Sequence, residues 1–163
     1  MKLAIYTCGT EGYTYAMTAQ ARRIQSCVAA CDRDLELLIL VVGDGSDGNL
    51  EAIKEYESLL PDAKVELLHH AGLQAGAKNY DNATQLLIAQ LRTMATSRAI
   101  SWGADYCLSM DSDVLPPSNA LRCMLDMVEF DNGYYAVAAC PYPSQGGGAF
   151  LCGRGTPQRP ILP

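Results

Sequence analysis

The 163-residue sequence predicts an α/β fold, a mostly parallel sheet flanked by helices in a Rossmann-like arrangement. Short apolar segments alternate four times with longer segments whose apolar residues follow helical spacing. One apolar segment, residues 35–42, is uninterrupted, as expected of a strand that is covered on both faces. This alternation is typical of parallel strands, because each helix returns the chain to the start of the next strand.

The first half of the chain contains two strand–helix units and a third strand. The predicted strands are residues 2–7, 35–42 and 64–69. The first helix is predicted from apolar residues that recur every three or four positions between Met17 and Cys31. The second strand ends in a turn rich in Gly and Asp, residues 43–48, and the helix after it has apolar side chains at Leu50 and Leu60.

The second half begins with residues 71–80, whose many Gly and Ala residues predict a loop. A long helix follows, from Asp81 or Asn82 to Ile100 or Trp102. The remaining predicted elements are a strand at 105–110, a helix capped by Ser118 that runs through Val128, and a strand at 134–140.

We expect a single domain. Residues 1–131 form its main part, and residues 132–163 add one further strand and a segment rich in Gly and Pro, predicted to be loop-like.

Composition excludes several functional classes. A formal net charge of −6 and a pI near 4.8 argue against binding to nucleic acid or to an anionic membrane. No apolar run approaches the roughly 20 residues of a membrane span, and the first residues resemble a strand rather than a signal peptide. Seven scattered cysteines predict free thiols in a reducing compartment. The sequence therefore predicts a soluble, cytoplasmic protein.

Asp111 and Asp113 follow directly on the fourth predicted strand. If the segment stays extended, both side chains project to the same side, and their oxygens suit Mg²⁺ or Mn²⁺. An isolated Asp-x-Asp is a weak signal of a metal site. The turns after strands one, two and four, residues 7–10, 43–48 and 111–113, are however expected at one edge of the sheet, where ligands of such folds bind.

Three segments resemble one family, the metal-dependent nucleotide-sugar glycosyltransferases of the GT-A fold, closest to glycosyltransferase family 2 and its relatives. The segments are the first strand, Leu38–Asp47 with its apolar strand and Gly-Asp-Gly-Ser turn, and Ser97–Pro117 with its helix, arginine and Asp-Ser-Asp. The resemblance covers about residues 2–128, so residues 1–131 resemble the nucleotide-sugar-binding half and the acceptor half is short or truncated.

The resemblance implies a role for five residues. Asp44 matches the aspartate that accepts a hydrogen bond from the nucleotide base, and Thr7 would lie along base and ribose. Arg98 would pair with phosphate, Asp111 would contact the ribose or the metal, and Asp113 would ligate Mn²⁺ or Mg²⁺. The donor is expected to be a uridine- or guanosine-diphosphate sugar. Where the family has the first aspartate of its strand-two pair, this chain has a glycine, Gly43.

Other polar residues near these turns are expected to have roles that are simpler or weaker than ligand binding. Asp47 and Asn49 are expected to cap the helix that follows them. Arg92 is a second, weaker candidate for phosphate. His69 and His70 follow the third strand, well before Asp111, and are not expected to bind metal.

After Asp131 the sequence has no Asp, Glu, His or Lys, so no ordinary general base comes from residues 132–163. Three explanations stay open: a short or truncated relative, a base from a second subunit of a homo-oligomer, or a retaining reaction. The predicted function is therefore sugar transfer to an unidentified acceptor hydroxyl, and the alternative is a nucleotide-sugar-binding or regulatory remnant. A phosphatase of the haloacid dehalogenase type ranks lower, because it needs a downstream lysine and none follows Lys78.

Overall fold

A computed structural model describes residues 1–9, 11–70, 82–129, 154–156 and 159–161. The chain divides into two compact units, Met1–Ser118 and Asn119–Pro163. The loop predicted at 71–80 and the strand predicted at 134–140 lie outside the described residues. The expectation of a single domain, with residues 1–131 as its main part, stays a prediction.

The first unit contains a four-stranded sheet. Its elements are β1 (Lys2–Gly9), a 3-10 helix (Glu11–Ala16), α1 (Met17–Ala29), β2 (Glu36–Gly43), α2 (Asp47–Leu59), β3 (Lys64–His69), α3 (Asn82–Trp102) and β4 (Tyr106–Asp111). The strand order is β3-β2-β1-β4, and all three strand pairs are parallel. The α/β prediction of a parallel sheet flanked by helices is confirmed.

The handedness of the connections assigns each helix to a face of the sheet. The chain moves in one direction from β1 through β2 to β3 and then crosses back to β4. Right-handed crossovers therefore put α1 and α2 on one face and α3 on the other. On the α3 face, alternate residues of β1 and β2 pack against Leu91, Ala95 and Ala99 of α3. Residues Leu37–Val42 of β2 are all buried, as expected of a strand covered on both faces.

The inward face of α2 differs from the prediction. Its buried residues are Asn49, Ala52 and Tyr56, whereas Leu50 is 42% exposed. Of the two apolar positions named for this helix, Leu60 is buried and Leu50 is not, because the inward stripe of the helix contains an asparagine and a tyrosine hydroxyl.

The second unit contains α4 (Ala120–Glu129) and an antiparallel pair, β5 (Arg154–Thr156) and β6 (Arg159–Ile161). The pair is a correction, since a loop-like segment was predicted there. The helix begins two residues after Ser118, and the Asn119 carbonyl accepts a hydrogen bond from the Cys123 amide at 3.0 Å. Ser118 is therefore not adjacent to the helix that it was predicted to cap. Among the described residues, no helix is long and apolar enough to cross a membrane.

Candidate functional site

The four strands of the first unit end together. Cys8 of β1 is the register partner of Asp111 in β4, and Gly43 of β2 is the partner of both Gly9 and His69. We call this set of strand ends, with the turns that follow β2 and β4, the carboxyl edge. It brings together the two acidic turns that the sequence analysis expected to meet, because parallel strands end on the same side of a sheet.

The residues after β4 form a tight turn. The Val114 amide donates a hydrogen bond to the Asp111 carbonyl at 3.1 Å, so Ser112 and Asp113 lie within the turn. The expectation that the aspartates alternate along an extended segment is therefore wrong. Asp111 and Asp113 are both exposed, whereas Ser112 is buried. The turn thus offers two carboxylates to solvent at the carboxyl edge.

A buried side chain of α1, that of Gln20, donates hydrogen bonds to the backbone of this turn. The Gln20 amide group donates to the Asp111 carbonyl at 2.7 Å and to the Val114 carbonyl at 3.1 Å. Gln20 Oε1 accepts a hydrogen bond from the Tyr56 hydroxyl at 3.1 Å. Burial raises the pKa of the Tyr56 hydroxyl, which stays protonated and able to donate. Gln20 was not predicted as a site residue. The pattern that could have indicated it is a polar residue on the predicted buried stripe of α1.

The turn after β2 is held by a second buried amide. Asn49 Oδ1 accepts from the Gly45 amide, and Asn49 Nδ2 donates to the Gly9 carbonyl, each at 3.1 Å. Asn49 therefore joins the end of β1 to the turn after β2 and does not cap α2. The residue that precedes the helix is Ser46, not Asp47. The Ser46 amide donates to Asp44 Oδ1 at 3.1 Å, which orients the Asp44 carboxylate.

The glycine at position 43 has a steric cause. A Cβ at Gly43 would collide with the side-chain amide of Asn49. Gly43 stands where the family described in the sequence analysis has its first aspartate, and Asn49 leaves no room for a side chain at this position. Gly45 also has a clear reason to be glycine, because its φ of 75° lies in the left-handed region.

The arginine beside the aspartates is Arg92. Its Nη2 atom lies 3.0 Å from Asp111 Oδ1, and both side chains are about half exposed. The Cys8 thiol lies near this pair: burial raises its pKa to about 11, Arg92 lowers it and Asp111 raises it. The thiol is therefore protonated at neutral pH and is not an activated nucleophile.

The stronger arginine candidate lies elsewhere. Arg98 Nε donates to Glu66 Oε2 at 2.7 Å, and Glu66 lies midway along the edge strand β3, where it is the register partner of Leu40. Arg98 follows Arg92 by six residues, which is about 9 Å along a helix. The structure therefore does not bring Arg98 to the aspartates, and its expected pairing with phosphate has no geometric support.

The structure also describes Thr7 and the two histidines, which lie at or next to the ends of β1 and β3. The Thr7 side chain is 2% exposed, and its Oγ1 has no hydrogen-bond partner among the described residues, so the side chain does not reach solvent at the carboxyl edge. His69 is exposed and its ring lies 3.1 Å from where a Cβ of Gly45 would be, which places it beside the Asp44 turn. The His70 amide donates to the Gly43 carbonyl at 2.9 Å.

The oxygen ligands at this turn fit a hard cation that is held weakly. The described part of the chain contains no cluster of three or more His, Cys, Asp or Glu side chains that could enclose a metal. Asp111 and Asp113 are instead two exposed carboxylates on one turn, and carboxylate oxygens are the ligands that Mg²⁺ or Mn²⁺ prefers.

No protein-family model and no curated protein matches this sequence. Solved structures of TarS from S. aureus, a glycosyltransferase, are similar to it. TarS 1–349 matches with a TM-score of 0.53 at 19% identity, over 79% of this chain and 32% of that chain. A longer TarS structure matches with a TM-score of 0.52 at 17% identity, over 79% and 20%. TarS 1–349 in complex with UDP-GlcNAc matches with a TM-score of 0.51 at 19% identity, over 79% and 31%.

These likenesses show that the chain shares its fold with the part of TarS that it matches. The chain spans about a third or less of the length of the TarS structures that it matches.

Proposed function

We propose that this protein binds a nucleoside-diphosphate sugar together with Mn²⁺ or Mg²⁺ at the carboxyl edge and transfers the sugar to an acceptor hydroxyl. One observation carries the proposal: the Asp44 turn and the Asp111–Val114 turn follow strands that end together, and each turn is fixed by a buried amide, from Asn49 or Gln20. A rigid acidic edge of this kind suits a ligand that contains both a base and a metal-bound diphosphate.

Each end of the ligand has a proposed contact. Asp44, oriented by the Ser46 amide, accepts the N3–H of a uracil base. Asp113 and Asp111 hold the cation, which when bound stabilises negative charge on the departing nucleoside diphosphate. Arg92 replaces Arg98 as the proposed phosphate contact, because it already lies beside Asp111. The UDP-GlcNAc complex of the fold neighbour TarS supports uridine as the base.

A titration of uridine diphosphate with and without Mn²⁺, followed by calorimetry, tests this function. We expect Mn²⁺ to tighten binding at least about tenfold in the natural chain, and Asp113→Asn to abolish that gain. Asp62→Asn is the matched control, since Asp62 is exposed but lies in the turn between α2 and β3. Uridine diphosphate binding that ignores Mn²⁺, or a full gain in Asp113→Asn, would contradict the proposal.

A second candidate function is nucleotide-sugar binding without transfer. The observation that favours it is that no Asp, Glu, His or Lys lies in residues 132–163. Transfer to alcohols and hydrolysis of the donor, measured at saturating uridine-diphosphate sugar and Mn²⁺, separate the two candidates. Tight binding with neither reaction would favour the binding role.

A further inference from the structure

Gln20 is a buried polar residue whose every hydrogen-bonding group is used. Its two amide hydrogens go to the carbonyls of Asp111 and Val114, and its oxygen accepts from Tyr56. Gln20 and Tyr56 are both 0% exposed. Carbonyl oxygens can only accept hydrogen bonds, so the amide nitrogen must face the turn and the amide oxygen must face the hydroxyl.

The two carbonyls that Gln20 binds are the first and last of the turn. Only Ser112 and Asp113 lie between them, and the Asp111 carbonyl also accepts the Val114 amide. Ser112 is itself buried and packs near Gly9. Fixing both ends of so short a turn leaves its backbone few alternative conformations. The exposed Asp113 carboxylate is then presented from a rigid support.

We propose that Gln20, oriented by Tyr56, is a positioning residue for the cation site at Asp111 and Asp113. The inference rests on the proposed function, since it assigns a support to the same site. Neither Gln20 nor Tyr56 touches the cation. They act by holding the turn in the conformation that binds it, so that the ordering of the turn does not oppose binding.

A merely structural role would predict something different. Gln25, one helical turn and a half further along α1, also donates to a backbone carbonyl, that of Leu59, at 3.0 Å. Loss of either glutamine removes a part-buried hydrogen bond from a side chain to a backbone carbonyl and lowers stability. Of the two, only Gln20 has a hydrogen bond to the turn that contains Asp111 and Asp113, so only its loss is expected to change that turn. Gln20 and Gln25 therefore form a matched pair in which stability and cation affinity can be separated.

The test measures Mn²⁺ binding to the full chain without nucleotide, from the electron paramagnetic resonance signal of free Mn²⁺. The variants are Gln20→Met and Gln25→Met, which keep the length of the side chain but remove its amide. We expect Gln20→Met to weaken Mn²⁺ binding about tenfold, as supporting residues of metal sites typically do, and Gln25→Met to leave it within about twofold. Metal-free binding of uridine diphosphate should stay unchanged in both.

Tyr56→Phe provides a milder variant, because it removes one hydroxyl and keeps the ring. It leaves Gln20 Oε1 without its donor, and we expect Mn²⁺ binding to weaken about threefold. If Gln20→Met does not fold, Tyr56→Phe decides: an unchanged Mn²⁺ affinity overturns the inference.

The outcomes separate the inference from the function on which it rests. If the natural chain binds Mn²⁺ and Gln20→Met binds it equally well, the positioning role is overturned while the proposed function stands. If the natural chain binds no Mn²⁺ at millimolar concentration, either alone or with uridine diphosphate, the cation site itself is wrong, and the inference falls with it.

Discussion

At the scale of single residues, the carboxyl edge depends on side chains that fit one another in pairs. The Asn49 side chain occupies the space that a Cβ at position 43 would need. The Thr14 side chain occupies the corresponding space at Gly48. A glycine in such a position is required by its neighbour rather than by its own backbone angles.

Gly43→Ala is expected to lower the free energy of unfolding by about 1–3 kcal/mol, because the added methyl group collides with the Asn49 amide. In an Asn49→Ala background the same change should cost clearly less, since the collision is gone. Urea denaturation of the four proteins measures both costs. Equal costs in the two backgrounds would show that Asn49 is not the obstacle.

Arg92→Met is expected to tighten the binding of Mn²⁺ alone about two- to fivefold, because an exposed ion pair of modest strength no longer competes for Asp111. The same variant should weaken the binding of uridine diphosphate in the presence of Mn²⁺. Calorimetry with each ligand gives both values. Arg98→Met, which removes the pair with Glu66 and a hydrogen bond to Ser101, should leave both affinities unchanged. If the two variants change the affinities equally, Arg92 is not part of the site.

The residue scale is where sequence predicted least. The positions of Asp111 and Asp113 at the end of β4 could be predicted, because the apolar strand that ends there is a local signal. Arg98 was ranked above Arg92, but the sequence could not show which of them lies beside Asp111, since two arginines of one helix differ only in which neighbour they reach. Gln20 was missed for the same reason: a helical pattern shows that a position is buried but not which carbonyls lie opposite.

At the scale of elements, strand lengths and helix positions were predictable while attachments between elements were not. β3 and α3 are joined by the pair of Glu66 with Arg98, and Lys64 lies 2.8 Å from the same carboxylate. The hydrogen bond from Arg98 has the largest effect and lowers the pKa of the Glu66 carboxyl. Burial is the next largest effect and raises that pKa, and Lys64 lowers it further, so the net shift is downward. This pair fixes α3 to the edge strand of the sheet.

The pH dependence of stability tests this attachment. A carboxyl whose pKa is lowered by folding stabilises the protein above its ordinary value of 4.5, and that stabilisation is lost as pH falls through the lowered value. Glu66→Gln should therefore lower the thermal unfolding midpoint at pH 7, and the difference from the natural chain should shrink below pH 4.5. Glu36→Gln, which breaks only the exposed pair with Lys2, should change the midpoint little. A difference that does not depend on pH would contradict the role of Glu66.

At the scale of the whole molecule, the alternation of strands and helices predicted the α/β class correctly. The strand order β3-β2-β1-β4 was beyond prediction from local pattern, because it depends on which strands pair after the chain crosses back from β3 to β4. The likeness to TarS covers 79% of the chain but at most 32% of TarS 1–349.

The most direct test of the proposed site is paramagnetic broadening of backbone amide resonances when Mn²⁺ and uridine diphosphate are added to the ¹⁵N-labelled chain. Broadening falls off steeply with distance from the cation, so it locates the cation. The proposal predicts that Ser112, Asp113 and Val114 broaden first and Gly45 next. The resonances of amides at the amino ends of the strands, such as those of Glu36 and Asp105, should stay sharp. Broadening centred on the amino ends of the strands, or spread evenly over the acidic surface, would contradict a cation site at Asp111 and Asp113.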